Sequence, residues 1–296
     1  MKVVVTGSLG NISKPLAEEL VQKGHAVTVI SSKPERRKDI EAMDASAAIG
    51  LLEDVGFLTN TFTGADAVYC MEPPNYSTEP DLIAFYRKIG RNYAQAIQQS
   101  GVKRIIHLSS FGAHLDKGTG NILGSHYVES ILNELSDTNI THMRPTYIYY
   151  NLYSFVDMIK KQGVMVANYG GEDKIEMVSP KDIAAAVTEE IETVISGKTV
   201  RYVASDERTG NEIASILGTA IGKPDLKWIV ITNEQMQKGL EASGMPTPTA
   251  ANLVEMYASL HGGLLSENYE QHKPIAMGKV KLENFAKEFA AVFQKE

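Results

Sequence analysis

KVVVTGSLGNISKPLAEELVQKGHAVTV, residues 2–29, carries the signal that decides the fold. Val3-Val4-Val5 is the apolar run of a strand buried on both faces. Thr6-Gly7-Ser8-Leu9-Gly10 breaks that pattern, and from Ser13 the period becomes helical, with Leu16, Ala17, Leu20 and Val21 on one stripe. Gly24 ends the helix and Ala26 to Ile30 is a second buried strand. Strand, tight glycine turn, helix and strand within about thirty residues make up the unit that binds mononucleotides. The glycines permit a tight turn and close backbone approach, and the helix start offers free N–H groups and a partial positive charge to a phosphate.

Working outward, the chain has 296 residues, enough for one large domain or two unequal ones around a substantial core. Its net charge is −7 and it has no Lys/Arg-rich run of nucleic-acid type, so a nucleic-acid partner is not expected. One cysteine, Cys70, excludes an intramolecular disulfide and a cysteine-based zinc site. His107, His114, His126, His142 and His261 lack short-range ligand spacing, so no metal is expected. A strand beginning at residue 2 leaves no room for a signal peptide, and no apolar run is long enough for a membrane span. A cytoplasmic protein is the expectation.

After the second strand comes Ser31-Ser32-Lys33-Pro34-Glu35-Arg36-Arg37-Lys38. An acidic residue at this strand end would hold the ribose hydroxyls of NAD, and none precedes Glu35. Two hydroxyls and a basic cluster suit a 2'-phosphate, which favours NADP over NAD. Pro34 is equally ordinary chemistry for a helix start. Further strands are predicted over 45–49, 65–71, 104–108 and 140–144, with helices over 51–62, 79–100 and 121–135. Beyond Tyr147 the regular alternation stops. Tyr147, Tyr149, Tyr150, Tyr153 and Phe155 crowd one stretch, a short helix is predicted over 153–161 and a short strand over 164–167. An Ala-rich helix ends near Ile195. Lys198 to Val203 reads as a seventh strand able to return to the main sheet. Helices are predicted over 209–220, 233–242, 249–260 and 281–293, with a short strand over 227–230. A nucleotide domain over 1–150, joined by the returning segment 180–205, and a small substrate-binding cap of 151–179 and 206–296 follow from this order.

Thr6-Gly7-Ser8-Leu9-Gly10-Asn11-Ile12, the basic loop, Pro73-Pro74, Ser109-Ser110, Arg144-Pro145 and Ser179-Pro180-Lys181-Asp182-Ile183-Ala184 together resemble the atypical short-chain dehydrogenase/reductase superfamily. More narrowly they resemble its NmrA-like branch, which includes NAD(P)H:quinone oxidoreductases, phenylpropanoid reductases and redox-sensing regulators that bind NADP without turnover. The resemblance runs the whole chain in order. It implies an α/β fold, a Rossmann-type doubly wound parallel sheet with a smaller, mostly helical C-terminal cap. It further implies that Thr6, Gly7, Ser8, Leu9, Gly10, Asn11 and Ile12 line the cofactor through backbone, with Ser31, Lys33 and Arg36 toward the 2'-phosphate. Met71, Glu72 and Pro73 would pass beside the adenosine and phosphates, and Ser109, Pro145, Thr146 and Tyr147 would flank the nicotinamide. The family's third glycine is Ser13 here, which can line the helix start and costs close helix–strand packing.

Hydride transfer in this superfamily usually relies on Tyr-x-x-x-Lys, and here Tyr127 is followed four residues on by Ile131. His126, a histidine able to titrate near neutral pH, is the nearest replacement acid or base, with Ser109 and Tyr127 as the other catalytic candidates. Tyr149, Tyr150, Tyr153 and Phe155 either line a substrate cleft or pack the cap. Three functions stay open: NADP-dependent transfer of hydride to a quinone or small carbonyl compound, non-catalytic NADP(H) sensing, and nucleoside-diphosphate-sugar epimerase-like chemistry. The expected partner is a small molecule, and the chain is a monomer or homodimer.

Overall fold

The computed structural model describes residues 1–74 and 81–295. The opening stretch forms β1 (Lys2–Val5), α1 (Ser13–Gln22) and β2 (Ala26–Ser31). Next come α2 (Arg37–Glu41), β3 (Ser46–Ile49), α3 (Val55–Phe62) and β4 (Ala67–Cys70). They are followed by α4 (Leu82–Ser100), β5 (Arg104–Leu108), α5 (Leu123–Asn133) and β6 (Asn139–Pro145). The chain then runs through β7 (Tyr147–Ile148), α6 (Val156–Gln162), β8 (Val164–Ala167), β9 (Lys174–Val178), α7 (Pro180–Glu192) and β10 (Lys198–Val203). It ends with β11 (Asp206–Thr209), α8 (Gly210–Ala220), β12 (Lys227–Val230), α9 (Asn233–Ala242), α10 (Thr247–His261), α11 (Ser266–Gln271) and α12 (Leu282–Lys295).

The main sheet has seven strands in the order β10-β6-β5-β4-β1-β2-β3. Neighbours from β3 through β6 pair in parallel, so their C-terminal ends share one edge. The order reverses between β1 and β4, the switch point at which Rossmann-type sheets bind ligands. Burial on both faces explains the unbroken apolar runs: Val3, Val4 and Val5 of β1 and every residue of β4 are buried. The returning strand is β10, at the sheet edge beside β6.

Two compact units result: Met1–Ala113 with Leu123–Arg144 and Ile183–Arg201, and His114–Ile122 with Pro145–Asp182 and Tyr202–Glu296. In the first, α4 is capped by Asp81, whose side chain accepts from the Ala84 N–H. The predicted start at Glu79 lies outside the described residues. Helix α4 turns Leu82, Phe85, Ile89, Tyr93 and Ile97 into the core, where Tyr93 stacks on Phe62 of α3. Gly90 of α4 lets α5 approach closely: a Cβ there would meet the Val128 side chain at 3.0–3.4 Å.

The second unit is less purely helical than its sequence pattern implies. It contains a three-stranded sheet, β11-β9-β7, and a two-stranded one, β12-β8. Lys174-Ile175-Glu176-Met177-Val178 does not alternate as a half-buried strand should, because Glu176 is buried beside its apolar neighbours. Its core gathers Tyr147, Tyr149, Leu152, Phe155, Ile159, Trp228 and Phe289. Tyr149 stacks on Phe285 and donates its hydroxyl to the Val280 carbonyl, while Phe155 packs on Trp228. Tyr153 stacks on Phe289. Three of the four aromatics considered for a substrate wall therefore pack this core. The predicted helix over 153–161 is a 3-10 turn, Tyr149–Phe155, continued by α6. No helix among the described residues is long and apolar enough to cross a membrane.

The contact between Gly90 and Val128 gives a direct test of α4–α5 packing. Gly90→Leu overpacks it and is expected to lower the unfolding free energy by about 1–3 kcal/mol. Gly90→Ala, whose helix propensity offsets a small displacement of Val128, stays within roughly 1 kcal/mol of the parent. Urea midpoints at unchanged slope measure both, and a Gly90→Leu midpoint equal to the parent's contradicts the packing account.

Candidate functional site

The glycine turn after β1 is built on backbone geometry. Gly7 and Ser8 both have positive φ, +89° and +54°, a region where glycine is at ease and serine is uncommon. Three hydrogen bonds hold Ser8 there or close the turn. Its N–H donates to the Ile30 carbonyl, its hydroxyl donates to Ser31 at 2.8 Å, and the Gly10 N–H closes on the Gly7 carbonyl. Ile12 precedes α1 without a side-chain cap, so the first N–H groups of the helix have no serine or aspartate serving them. Ser13 is buried, and a Cβ on Gly7 would collide with its Oγ. The expected loss of close packing at Ser13 is thus offset at Gly7, whose missing side chain leaves room for the hydroxyl.

The basic loop hangs from the same turn. Ser31 is buried and accepts a hydrogen bond from the Lys33 N–H at 3.2 Å, so its hydroxyl orients the loop. Lys33 and Arg36 are exposed. Arg36 lies 3.7 Å from Asp39, an open surface pair that leaves the guanidinium able to pivot.

Thr6 and Met71 tie β1 to the end of β4. The Thr6 hydroxyl accepts from the Met71 N–H at 2.9 Å, and the Tyr93 hydroxyl donates to the Met71 carbonyl at 2.7 Å. The Met71 side chain lies against Gly7. Burial pushes the Tyr93 phenol well above its usual range. Glu72 follows, buried, with Oε2 at 3.2 Å from Nε2 of His107.

Ser109, after β5, points its hydroxyl at Glu129 of α5, at 2.5 Å. Glu129 also receives two hydrogen bonds from Arg144 at the end of β6, at 2.9 and 2.6 Å. Both charged side chains are only 8% exposed. Burial alone would raise the Glu129 carboxyl, but the paired guanidinium, the neighbouring His142 and the Ser109 hydroxyl together hold it below the usual range. His142 is itself held down to about 3, by burial first and then by His107, so at neutral pH Arg144 supplies the charge that matters. The Ser109 hydroxyl is thereby spent on Glu129.

His126 sits in the first turns of α5, and its Nδ1 donates to the Ala113 carbonyl at 3.0 Å. That bond fixes the tautomer and leaves Nε2 as the nitrogen that accepts or carries a proton. Its ring meets the edge of Tyr127, whose own ring lies under the Arg87 guanidinium of α4 at 4.6 Å. The Tyr127 ring thus packs between α5 and α4. Thr6, Ser31, Met71, Glu72 and Ser109 all stand at C-terminal strand ends of one sheet edge, with Gly7 to Ile12 between β1 and α1. Pro145, Thr146 and Tyr147 belong to the second unit, where Tyr147 is buried and meets the Tyr169 hydroxyl at 3.0 Å. Asp182 accepts from the Lys279 and Val280 N–H groups and from Ser205, tying down the segment before α12.

Glu129 and Arg144 escaped the sequence reading as a pair. Their one signal is that two charges lie in otherwise apolar patterns, Glu129 beside Val128 on the stripe of α5 and Arg144 at the end of β6. His107 and His142 were visible singly. Their pairing needs the register of β5 and β6, which sets them side by side.

A family model described as NmrA-like family matches residues 1–286. The NAD(P)H azoreductase of Xenophilus azovorans is 23% identical over 260 residues, covering 86% of this chain and 86% of the relative. An NADPH-dependent quinone oxidoreductase of Escherichia coli, solved with NADPH, superposes with a TM-score of 0.82 at 20% identity, covering 97% of this chain and 99% of that one. The triphenylmethane reductase of Citrobacter sp. gives 0.82 at 17% identity over 98% and 100%. At these identities the solved structures share the fold.

The Glu129–Arg144 pair makes a pH-dependent prediction. A carboxyl whose folded pKa is depressed contributes stability above its unfolded pKa and loses it as pH falls through the folded value. At pH 7, Glu129→Gln leaves a buried guanidinium uncompensated and is expected to cost about 3–5 kcal/mol. That gap should narrow as pH falls below about 4, where the unfolded carboxyl becomes protonated. Replacing both partners, Glu129→Leu with Arg144→Met, should cost far less than the single change. Denaturation midpoints at several pH values measure this, and a constant gap contradicts it.

Proposed function

The chain belongs to the NmrA-like family, and from that premise we propose that it is an NADP(H)-dependent oxidoreductase delivering hydride to a quinone or small carbonyl compound. The observation that carries the reading is the turn at Gly7 and Ser8. It is held in a left-handed conformation by Ser31 and the Ile30 carbonyl, and it opens onto a helix start without a side-chain cap. Residues in that geometry fit a pyrophosphate: backbone approaches closely and N–H groups meet the negative charge. Lys33 and Arg36, exposed on a loop anchored by Ser31, fit a 2'-phosphate, for which no acidic residue at the end of β2 competes. Ser31 serves this site by positioning.

Bound there, the reduced cofactor supplies hydride. The protein's own task is to orient the acceptor and to place one proton. His126 suits that task better than Ser109 or Tyr127, because its Nδ1 is held by Ala113 while Nε2 is not spent in that bond. The Ser109 hydroxyl is committed to Glu129, and the Tyr127 ring to Arg87. Reduction of a quinone places charge on a stabilised oxygen and so needs less acid help than forming an alcohol. The relatives are named for reduction of a quinone, an azo compound and a triphenylmethane dye, which supports an acceptor of that flat, conjugated kind. The absent Tyr-x-x-x-Lys pair favours a second reading, a protein that binds NADP(H) as a sensor without turnover.

Calorimetry with NADPH and NADH, followed by NADPH oxidation over a panel of quinones and aldehydes, tests this. NADPH is expected to bind more tightly than NADH. Lys33→Ala with Arg36→Ala should weaken NADPH by about 10–100-fold, as expected for lost charge-assisted hydrogen bonds, and leave NADH unchanged. His126→Phe should slow turnover by about a hundredfold. Tight NADPH binding with no oxidation by any acceptor would favour the sensor and sink the enzyme.

A further inference from the structure

Behind the sheet edge the first unit holds a string of polar groups that the chemistry above leaves unused. Glu72 Oε2 is 3.2 Å from His107 Nε2, His107 Nδ1 is 2.9 Å from His142 Nδ1, and His142 Nε2 is 3.0 Å from Asn133 Oδ1. The histidines are side by side on β5 and β6, with exposures of 0% and 1%, and Glu72 is 5% exposed. Asn133, at the C-terminal end of α5, is exposed. The string therefore runs from solvent, through the core, to the C-terminal edge of the sheet. At its inner end Glu72 Oε1 is buried and has no hydrogen-bond partner among the described residues.

A neutral imidazole has one donor and one acceptor nitrogen, so the directions of these bonds are coupled. If the Asn133 oxygen accepts from His142 Nε2–H, then His142 Nδ1 accepts from His107 Nδ1–H. His107 Nε2 is then an acceptor, and the donor facing it is a protonated Glu72. If Asn133 turns its amide and donates instead, every bond reverses and Glu72 is a carboxylate. The two forms differ by one proton, held at the buried end. Burial first, then His107, Arg144 and Lys198, keep His142 neutral at ordinary pH, against the opposing pull of Glu129. Glu72 is faced by His107, Cys70 and Tyr93, neither of the latter two ionised at neutral pH because burial raises both.

We propose that Asn133, His142, His107 and Glu72 form a proton relay that brings one proton from solvent to the ligand edge of the sheet. A proton taken up on His142 Nε2 releases the Nδ1 proton to His107 Nδ1, and His107 releases its Nε2 proton to Glu72 Oε2. Three bonds to hydrogen form, and two break within the string. Each ring ends neutral as its other tautomer, the carboxylate becomes a carboxylic acid, and no electrons move. Resting on the oxidoreductase reading, the relay's use is to restore the proton that a reduction consumes: a quinone takes up one hydride and one proton, His126 places that proton, and the relay brings its replacement from solvent to the ligand edge. Glu72 and the two histidines thus resupply a proton, while His126, on the helix rather than in the sheet, places it.

The test uses the full-length protein labelled with nitrogen-15 in its histidines. Long-range proton–nitrogen spectra report which ring nitrogen of His107 and of His142 carries hydrogen as pH is varied. The relay requires both rings to exchange their protonated nitrogen together, His142 from Nε2 to Nδ1 and His107 from Nδ1 to Nε2, as pH is raised. Rings that keep fixed tautomers across the folded pH range overturn the relay, whatever the turnover. Quinone reduction supplies the second arm. His142→Gln, which keeps polar contacts but passes no proton, is expected to lower kcat at least tenfold with NADPH affinity unchanged and to abolish the parent's solvent deuterium effect. An unchanged kcat and solvent effect in a folded His142→Gln also overturns it. Paired switching of the rings with bound but unoxidised NADPH supports the relay and removes only the oxidoreductase reading.

Discussion

Glu129 and Arg144 confront each other between α5 and β6 with their charged groups almost wholly out of water. A carboxylate or a guanidinium alone in that place is prohibitively costly, and the pair is tolerable because two short hydrogen bonds and the Ser109 hydroxyl satisfy it. Much else is set by this requirement. It fixes which face of α5 meets the sheet, so that Val128 packs into Gly90 of α4 while His126, three residues before Glu129, comes beside the Ala113 carbonyl. It also determines what Ser109 does. A serine that the superfamily's pattern aims at substrate is here held by a structural carboxylate.

The same principle governs the rest of the sheet edge. A parallel sheet covered on both faces leaves no water for polar groups at its strand ends, so each must find a partner within the fold. Thr6 serves the Met71 N–H, Tyr93 serves the Met71 carbonyl, and Ser31 serves both Ser8 and the Lys33 N–H. Once these are paired, the groups not spent in such contacts are few and chemically distinct. Among the described residues they include the exposed Lys33, Arg36 in its open pair with Asp39, Nε2 of His126 and Oε1 of Glu72. In the proposed function, phosphate recognition and proton handling fall to different residues.

Local periodicity was enough to read elements whose neighbours merely cover them. Val164–Ala167, Lys198–Val203, Lys227–Val230 and Asn233–Ala242 occupy the spans their patterns imply. What periodicity misses is set by tertiary partners. Strand β9 was obscured by a buried Glu176, β7 is only two residues long, and β11, Asp206-Glu207-Arg208-Thr209, has no apolar residue to mark it. The geometry of the candidate site was legible where it is local, as in the glycine turn and the basic loop. It was not legible where a role depends on a hydroxyl's direction, as at Ser109, or on strand register, as at His107 and His142. Tyr149 and Phe155 could equally have lined a cleft or filled a core, and only packing distinguishes the two.

Transfer of the C4 hydrogen is the central claim, and a single measurement addresses it. NADPH carrying deuterium at C4, on one face and then the other, is mixed with the protein and a quinone in a single turnover. Slower oxidation with deuterium on one face only, by a primary isotope effect of about 2–6, is the predicted result for stereospecific hydride transfer. Bound NADPH that stays reduced with either label would contradict it.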